Sequence, residues 1–486
     1  MSDHDELEAR AEAGGSARRA KRLRRMGRLS VRDRIARLAD PGSFLELGRY
    51  HGHGQGHRLP QLAAADPPGD GLVTGLCTVD GREIALAAHD PTHLRGSIGS
   101  GGAARLARLL EIAGERDLPV VTLADSDGAR IQEGVDAVVA NGRVMELTAK
   151  LRGRVPQLTL VCGLCVGGAA YTAALGDLVA MVEDHAFLFI TGPTVTRVAT
   201  GEDVSIEDLG GPRMHATRTG SCAHVAPDVE AGIAWLKRVL SYLEPVVETA
   251  DPADRPTPEL ERIVPTSFRM GYDARKVVRA LFDADTVLEL HPRFAPNLLT
   301  GFARLGGRAI AWLASQPTHL AGCLDVEASR KGAAFVRRAS AWGLPLVTLV
   351  DVPGYLPGRR QEEGGILPIG AEVIAAYAEA RVPRLCLVLR KSYGGGNVLT
   401  YSSDVRLALP TARVAPVGVD AAVEVALGPG PEAPTAEEGA DREARRAAWI
   451  AEHDSVEVAA RSGYLDRVVA PGEARAALAL ALERMG

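Results

Sequence analysis

The chain has 486 residues, 46% hydrophobic and 24% charged, with a formal net charge of −5. That length exceeds what one hydrophobic core organises, so two domains are expected, and the composition excludes a disordered or fibrous chain. The acidic balance argues against a general nucleic-acid binder, and no apolar run approaches the ~20 residues that span a bilayer.

The N-terminal MSDHDELEAR is acidic and has no apolar core, so it is not read as a signal peptide and a cytoplasmic protein is expected. Residues 1–30, rich in Ala, Arg and Glu, are expected to form a helical arm. Next comes a strand pair around a Gly-Arg turn (VDGREIALAA), a glycine loop and an Ala- and Arg-rich helix. The apolar strand VVTLAD ends in Asp and enters the loop DSDGARIQEG, then a long helix. A second apolar strand, LTLVCG, runs into Gly167–Gly168, which opens another helix. DVEAGIAWLKRVLSYLE has helical apolar spacing and closes this first half. Residues 250–265 carry four prolines and six charges, which is linker chemistry and sets the expected domains at 1–249 and 250–486.

The second half repeats the first. PTHLRGSI at Pro91 returns as PTHLAGCL at Pro317, and LPVVTLAD at Leu118 as LPLVTLVD at Leu344, both 226 residues on. Gly75 with Gly81–Arg82 and Gly301 with Gly307–Arg308 keep that spacing, and Gly167–Gly168 returns as Gly394–Gly395 at 227. A constant register over about 95 residues means one fold used twice. Strand–helix alternation with unbroken apolar strands indicates α/β domains with mostly parallel sheets.

In such sheets ligands gather at the carboxyl ends of the strands. Three places stand out there. CVGGAAYTAA puts Gly167 and Gly168 at a strand-to-helix turn, where the first helical N–H groups lack partners and form an anion site, or where glycine serves close packing. KSYGGGNVLT, with Gly394, Gly395 and Gly396, repeats the device, and the recurrence favours function. The loops DSDGARIQEG and DVPGYLPGRRQEEGG offer Glu133 and Glu363 as general bases, although such acids more often cap helices. Arg130 has two readings, a phosphate contact or a buried salt bridge. Cys162 and Cys165 have CxxC spacing but sit in a buried apolar strand without a second pair, so no metal is expected. His215 and His224 read as loop braces. There is no Walker A loop and no GxGxxG in strand–turn–helix context. Duplicated oxyanion-type turns without a side-chain nucleophile suit enolate chemistry on a thioester, the proton acceptor coming from a cofactor.

The succession GDGLVTGLCTVDGR, LPVVTLADSDGARIQEG, CVGGAAYTAA, FITGPTVTRVATGEDVSIEDLGGPRMH, QPTHLAGCLDVEASRKGAAFVRR, LVDVPGYLPG and KSYGGGNV resembles the carboxyltransferase β subunits of propionyl-CoA and acetyl-CoA carboxylases, from about residue 28 to the end. The resemblance implies tandem crotonase-like domains, trimers stacked into hexamers, and an active site between the first domain of one subunit and the second of its neighbour. It places acyl-CoA against the first domain and carboxybiotin against the second. The amides of Gly167 and Gly168 are then expected to hold the thioester enolate, and those of Gly395 and Gly396 the ureido oxygen of biotin. Carboxybiotin is expected to release carbon dioxide, the biotin enolate to take the α-proton, and the thioester enolate to attack the carbon dioxide. Gly96 and Ser97, with Ala129, Arg130 and Gly394, match positions along the CoA and biotin loops. No metal enters this chemistry.

The chain departs from that pattern. Asp127 and Arg95 stand where the family has glycine, and Ser100 where an acid is common. Pro368 and Glu372 replace basic residues, and Asn397 and Val398 occupy a position that lines the acyl pocket. Gly396 replaces an alanine and keeps its amide. With no biotin-attachment Met-Lys-Met and no ATP-grasp signature, the chain is expected to need biotin carboxylase and biotin carrier partners. A decarboxylase or transcarboxylase subunit is the alternative enzyme. A non-catalytic scaffold is the alternative of a different class, motivated by the lost basic residues at 368–372.

Overall fold

The computed structural model describes residues 2–51, 69–427 and 436–485, arranged as two compact units, 1–241 and 242–486. In the first, the arm is α1 (Asp3–Ala13) and α2 (Ala17–Arg25), followed by α3 (Val31–Leu38). Ser2 and Ser30 cap α1 and α3 through reciprocal bonds with Asp5 and Asp33.

The strands β1 (Leu45–Leu47), β2 (Leu72–Val79), β3 (Arg82–His89), β4 (Val120–Ser126), β5 (Gln157–Val166), β6 (Leu178–Val182) and β8 (His224–Ala226) lie in that order in one sheet, with β7 (Phe187–Phe189) paired to β5. β1–β2 and β2–β3 are antiparallel and the rest parallel. The central strands are buried along almost their whole length, β5 at eight of its ten residues, which is why they read as unbroken apolar runs. Helices α4 (Ser100–Glu115) and α5 (Val135–Leu151) pack on each other, with α4 also on β2 and β3. α3 and α7 (Val229–Ser241) pack together, on β3 and on β5 respectively; α6 (Gly168–Leu175) follows β5.

The second unit has the same plan. Its sheet runs β9 (Leu288–Leu290), β10 (Leu298–Leu305), β11 (Arg308–Ser315), β12 (Leu346–Val352), β13 (Arg384–Tyr393), β14 (Val405–Ala408), β16 (Arg467–Val468), with β15 (Arg413–Ala415) paired to β13. The helix after the glycine loop is α8 (Val326–Ala341), again 226 residues on, and α9 (Ile366–Glu379) packs on it. Trp312, Phe282 and Leu387 centre the core, all fully buried. The two-domain α/β architecture is therefore tandem and duplicated.

The units divide at Ser241/Tyr242, eight residues before the boundary read from the linker. The linker chemistry of 250–265 leaves residues 242–249 in the first half, but their backbone bonds lie in the second: Val246 bridges Arg308, Val247 N–H donates to Gly307 O, and Ala309 N–H donates to Pro245 O. The CxxC pair is core. Both thiols are free and buried, and burial pushes Cys162 up to about 11 and Cys165 up to about 12.

Candidate active site

The first turn is made by β5 running into α6. Gly167, at φ +56°, is the N-cap; only glycine takes that left-handed backbone without strain, and it aims the first helical amides outward from the strand end. Gly167 N–H itself is engaged, donating to Phe189 O on β7 at 3.2 Å. The Gly168 N–H has no acceptor among the described residues. The loop after β4 closes against this turn: a Cβ on Gly128 would lie 2.5 Å from Val166 O and 3.6 Å from the Gly167 Cα.

The next residue, Ala129, makes a parallel bridge with Ile98: Ile98 N–H donates to Gly128 O (2.7 Å) and Arg130 N–H to Ile98 O (2.9 Å). This joins the two loops that carry the sequence-predicted residues Gly96, Ser97, Ala129 and Arg130. Gly96, at φ +70°, lets the loop pass over Asp125 O, where a Cβ would come within 2.1 Å. Gly96, Ser97, Ala129, Gly167 and Gly168 are thus brought to the carboxyl ends of β3, β4 and β5.

The second turn repeats this backbone. Gly394 has φ +52°, and a 3-10 turn, Gly394–Asn397, leads into a short helix, Val398–Tyr401. Gly395 and Gly396 begin it with N–H groups that have no acceptor among the described residues. Leu324 bridges Tyr355 as Ile98 bridges Ala129, with Leu324 N–H on Gly354 O (3.0 Å) and Leu356 N–H on Leu324 O (2.8 Å). The Tyr355 ring packs so closely on Gly395 that a Cβ there would lie 2.7 Å from it.

Among the acids and bases, the brace readings prevail. Arg130 is fully buried: its guanidinium meets Asp70 at 2.5 Å and Glu133 at 2.9 Å and donates to Ser97 O at 2.8 Å. Glu133 accepts from Arg130 and from Ser100 N–H (2.7 Å), fixing the start of α4. Glu363 is exposed and pairs with Arg359 one turn away. His215 bonds Leu188 O (2.6 Å) and Thr219 Oγ1 (2.9 Å), and burial holds its ring below the usual range; His224 stacks on Trp235.

The departures have partners that sequence does not reveal. Arg95 and Asp127 meet each other at 2.5 Å, and burial raises the Asp127 carboxyl despite Arg95. Glu372 pairs with Arg337 at 2.6 Å on the exposed side of α9. Asn397 does not project into open space. Its Nδ2 donates to Gly394 O and Ala415 O (both 3.1 Å), while Oδ1 accepts from Ser392 (2.8 Å) and Tyr464 (2.9 Å); Val398 is fully buried. Asn397 therefore locks the second turn. Sequence reasoning misses Gly128 and Tyr355 as site-builders and reads Asn397 as acyl-pocket lining where it locks the turn; only Gly128, inside GAR, carries a local signal.

The carboxyl transferase domain family matches residues 22–485. The chain is 39% identical to the propionyl-CoA carboxylase beta chain of Saccharopolyspora erythraea, over 97% of this chain and 90% of that one. It is 36% identical to the methylmalonyl-CoA decarboxylase subunit alpha of Veillonella parvula, over 99% and 94%. The solved transcarboxylase 12S structure, a hexamer with hydrolysed methylmalonyl-coenzyme A bound, superposes with a TM-score of 0.92 at 37% identity, covering 99% and 95% of the two chains.

Proposed function

The chain belongs to the carboxyl transferase family, and from that premise we propose that it moves a carboxyl group between carboxybiotin and the α-carbon of a short acyl-CoA of the acetyl or propionyl class. The carrying observation is the paired turn: two units, each with a left-handed glycine leading a helical turn whose first amides are unspent. Amides fixed in place stabilise an oxyanion without reorganising as charge develops. The first unit takes the acyl-CoA. The thioester enolate oxygen lies on Gly168 N–H, with Gly167 shaping the turn, and the loops of Gly96, Ser97 and Ala129 flank the CoA while Arg130 braces them from beneath. In the second unit, Gly395 and Gly396 hold the ureido oxygen of biotin, and Gly394 sets the turn.

Carboxybiotin, delivered on a carrier as a second substrate, supplies both the carboxyl group and the acceptor for the α-proton. Glu133, consumed by Arg130 and Ser100, is not needed as a base. The chain works as a homo-oligomer, trimeric or hexameric, with a biotin carboxylase and biotin carrier as partners; the hexameric 12S relative supports that assembly. Running in reverse, as a decarboxylase or transcarboxylase subunit, is the second reading, supported by the Veillonella relative.

The test is decarboxylation of malonyl-CoA or methylmalonyl-CoA by the purified chain with free biotin, followed by an acyl-CoA panel on the reconstituted holoenzyme. Turnover is expected in both. No decarboxylation, together with an unchanged holoenzyme carrying Gly168→Pro, would leave a scaffold as the answer.

A further inference from the structure

Helix α2 is the most basic element of the molecule. Six of its nine residues are cations (Arg18, Arg19, Lys21, Arg22, Arg24, Arg25), none is an acid and none is buried. Among the described residues, none of these six forms an ion pair, whereas neighbouring cations do: Arg28 with Asp125, Arg32 and Arg49 with Glu46, Arg95 with Asp127, Arg130 with Asp70. On a chain of net charge −5 this is a concentrated patch. Arg18 and Arg22, like Lys21 and Arg25, stand four residues apart, so their like charges repel along the helix. An anion lying on the helix would relieve that repulsion.

The helix is also held in place. At its start, Gly15 N–H donates to Asp90 and Thr92 (both 3.2 Å) and Ser16 N–H to Thr92 O (3.1 Å), on the loop that continues to Arg95 and Gly96. Beyond its end, Arg28 reaches Asp125 (2.5 Å) and Cys162 O (3.0 Å) on β4 and β5. The Arg19 charge is felt by Asp127, next to Gly128. The patch therefore lies beside the loops of the first turn. Arg24 and Ala20 of α2 also reach the lining of the cavity of about 310 Å³ under the arm, where Arg32 and Arg105 are matched by Glu46.

We propose that α2 is the receptor for the phosphates of the acyl-CoA, its cations taking the diphosphate and the ribose phosphate while the thioester lies on the first turn. The proposal rests on the reading that the first unit binds acyl-CoA. Coenzyme A is a compact polyanion at one end and neutral along its pantetheine arm, which matches a cationic helix set beside a neutral glycine turn. A phosphate receptor of exposed cations works by summed Coulomb attraction and weakens with salt.

Calorimetric titration of the full-length chain with CoA, dephospho-CoA and pantetheine tests this. Wild type is expected to bind in that order, with CoA affinity falling as salt rises and pantetheine affinity constant. The triple variant Arg18→Gln, Lys21→Gln, Arg22→Gln is expected to lose about tenfold or more in CoA affinity. It should keep the kcat for an acyl-pantetheine, so that only KM for acyl-CoA rises. Equal binding of CoA and pantetheine by wild type, or unchanged CoA affinity in the variant, overturns the proposal. So does loss of carrier-subunit association with CoA binding intact, which would make α2 a protein-docking face. If the triple variant fails to fold, the single variant Arg19→Gln and the wild-type salt series decide the question in the same way. Phosphate-dependent binding without carboxyl transfer would sink the reaction and keep the receptor; transfer with an unchanged KM would do the reverse.

Discussion

Arg105 and Lys331 stand 226 residues apart and do the same work. Arg105 donates to the carbonyls of Gly69, Leu72 and Leu47, Lys331 to those of His291 (3.0 Å) and Phe294 (2.8 Å), each a buried cation fastening the chain that enters its unit's long antiparallel pair. Asp125 and Asp351, at the ends of β4 and β12, likewise each hold a buried arginine, Arg34 in the first unit and Arg390 in the second, with the half-buried Arg28 also on Asp125. At the rim the copies part. Arg95 faces Asp127 as an exposed pair where the second unit has Ala321 and Pro353, though Arg95 and Ala321 share left-handed φ values of +60° and +51°. The duplication thus kept the groups that brace backbone and let the groups facing solvent and ligand diverge.

The largest effects should come from breaking what the copies share. Asp125→Ala or Asp351→Ala strands a buried guanidinium and should destabilise its unit by about 3–5 kcal/mol. Hydrogen exchange localises the damage: protection should fall in β4–β5 for the first and β12–β13 for the second. Loss spread evenly over both units would refute independent bracing. Next is the turn itself. Gly168 is the first helical residue, where proline is tolerated, so Gly168→Pro removes one N–H with the helix intact. Carboxyl transfer should drop about 10²–10³-fold with the melting temperature nearly unchanged. Alanine separates the turns: at 168 the new Cβ comes nearest to Asn141, its Oδ1 at 3.1 Å, while at 395 it meets the Tyr355 ring at 2.7 Å. Gly395→Ala should therefore be the more damaging, raising KM for biotin; equal effects would contradict the packing difference.

How much of this is legible beforehand depends on whether the signal is local. The repeat, the buried strands and the glycine turns announce themselves through period and spacing, because backbone conformation leaves its mark on adjacent residues. Partnerships between distant residues leave none. Nothing near Asn397 names Tyr464, 67 residues on, and nothing near Arg95 names Asp127. The 242–249 segment misleads for the same reason: it precedes the proline-rich, charged stretch 250–265 that reads as the linker, while its own backbone bonds run to Gly307 and Arg308. Glu133 and Glu363 also look alike in sequence. Glu133→Gln, which loosens a buried contact to Arg130, should cost about 1–2 kcal/mol, and Glu363→Gln, on an exposed pair, under about 0.5, both read from denaturant midpoints.

The last effect tests a feature that only one copy has. Tyr393, immediately before Gly394, donates from its hydroxyl to Asp454 at 3.2 Å; Val166 occupies the corresponding place before Gly167. Burial pushes the Asp454 carboxyl up to about 6, against the pull of Tyr393, Arg413 and Arg446. A carboxyl whose pKa is higher folded than unfolded keeps its proton in the native state while the unfolded chain has lost it. Between about pH 4 and 6 the native state binds more protons, so this residue's contribution to stability falls as pH rises through that window and stays flat above it. The difference should amount to about 3 kcal/mol at most, seen as wild type losing melting temperature relative to Asp454→Asn between pH 4 and 6. Because only the second turn is joined to such a group, the effect on transfer should appear in KM for biotin and leave KM for acyl-CoA constant. A matching pH shift in the acyl-CoA term would mean that the two turns titrate as one site, and that the copies have not diverged at their bases after all.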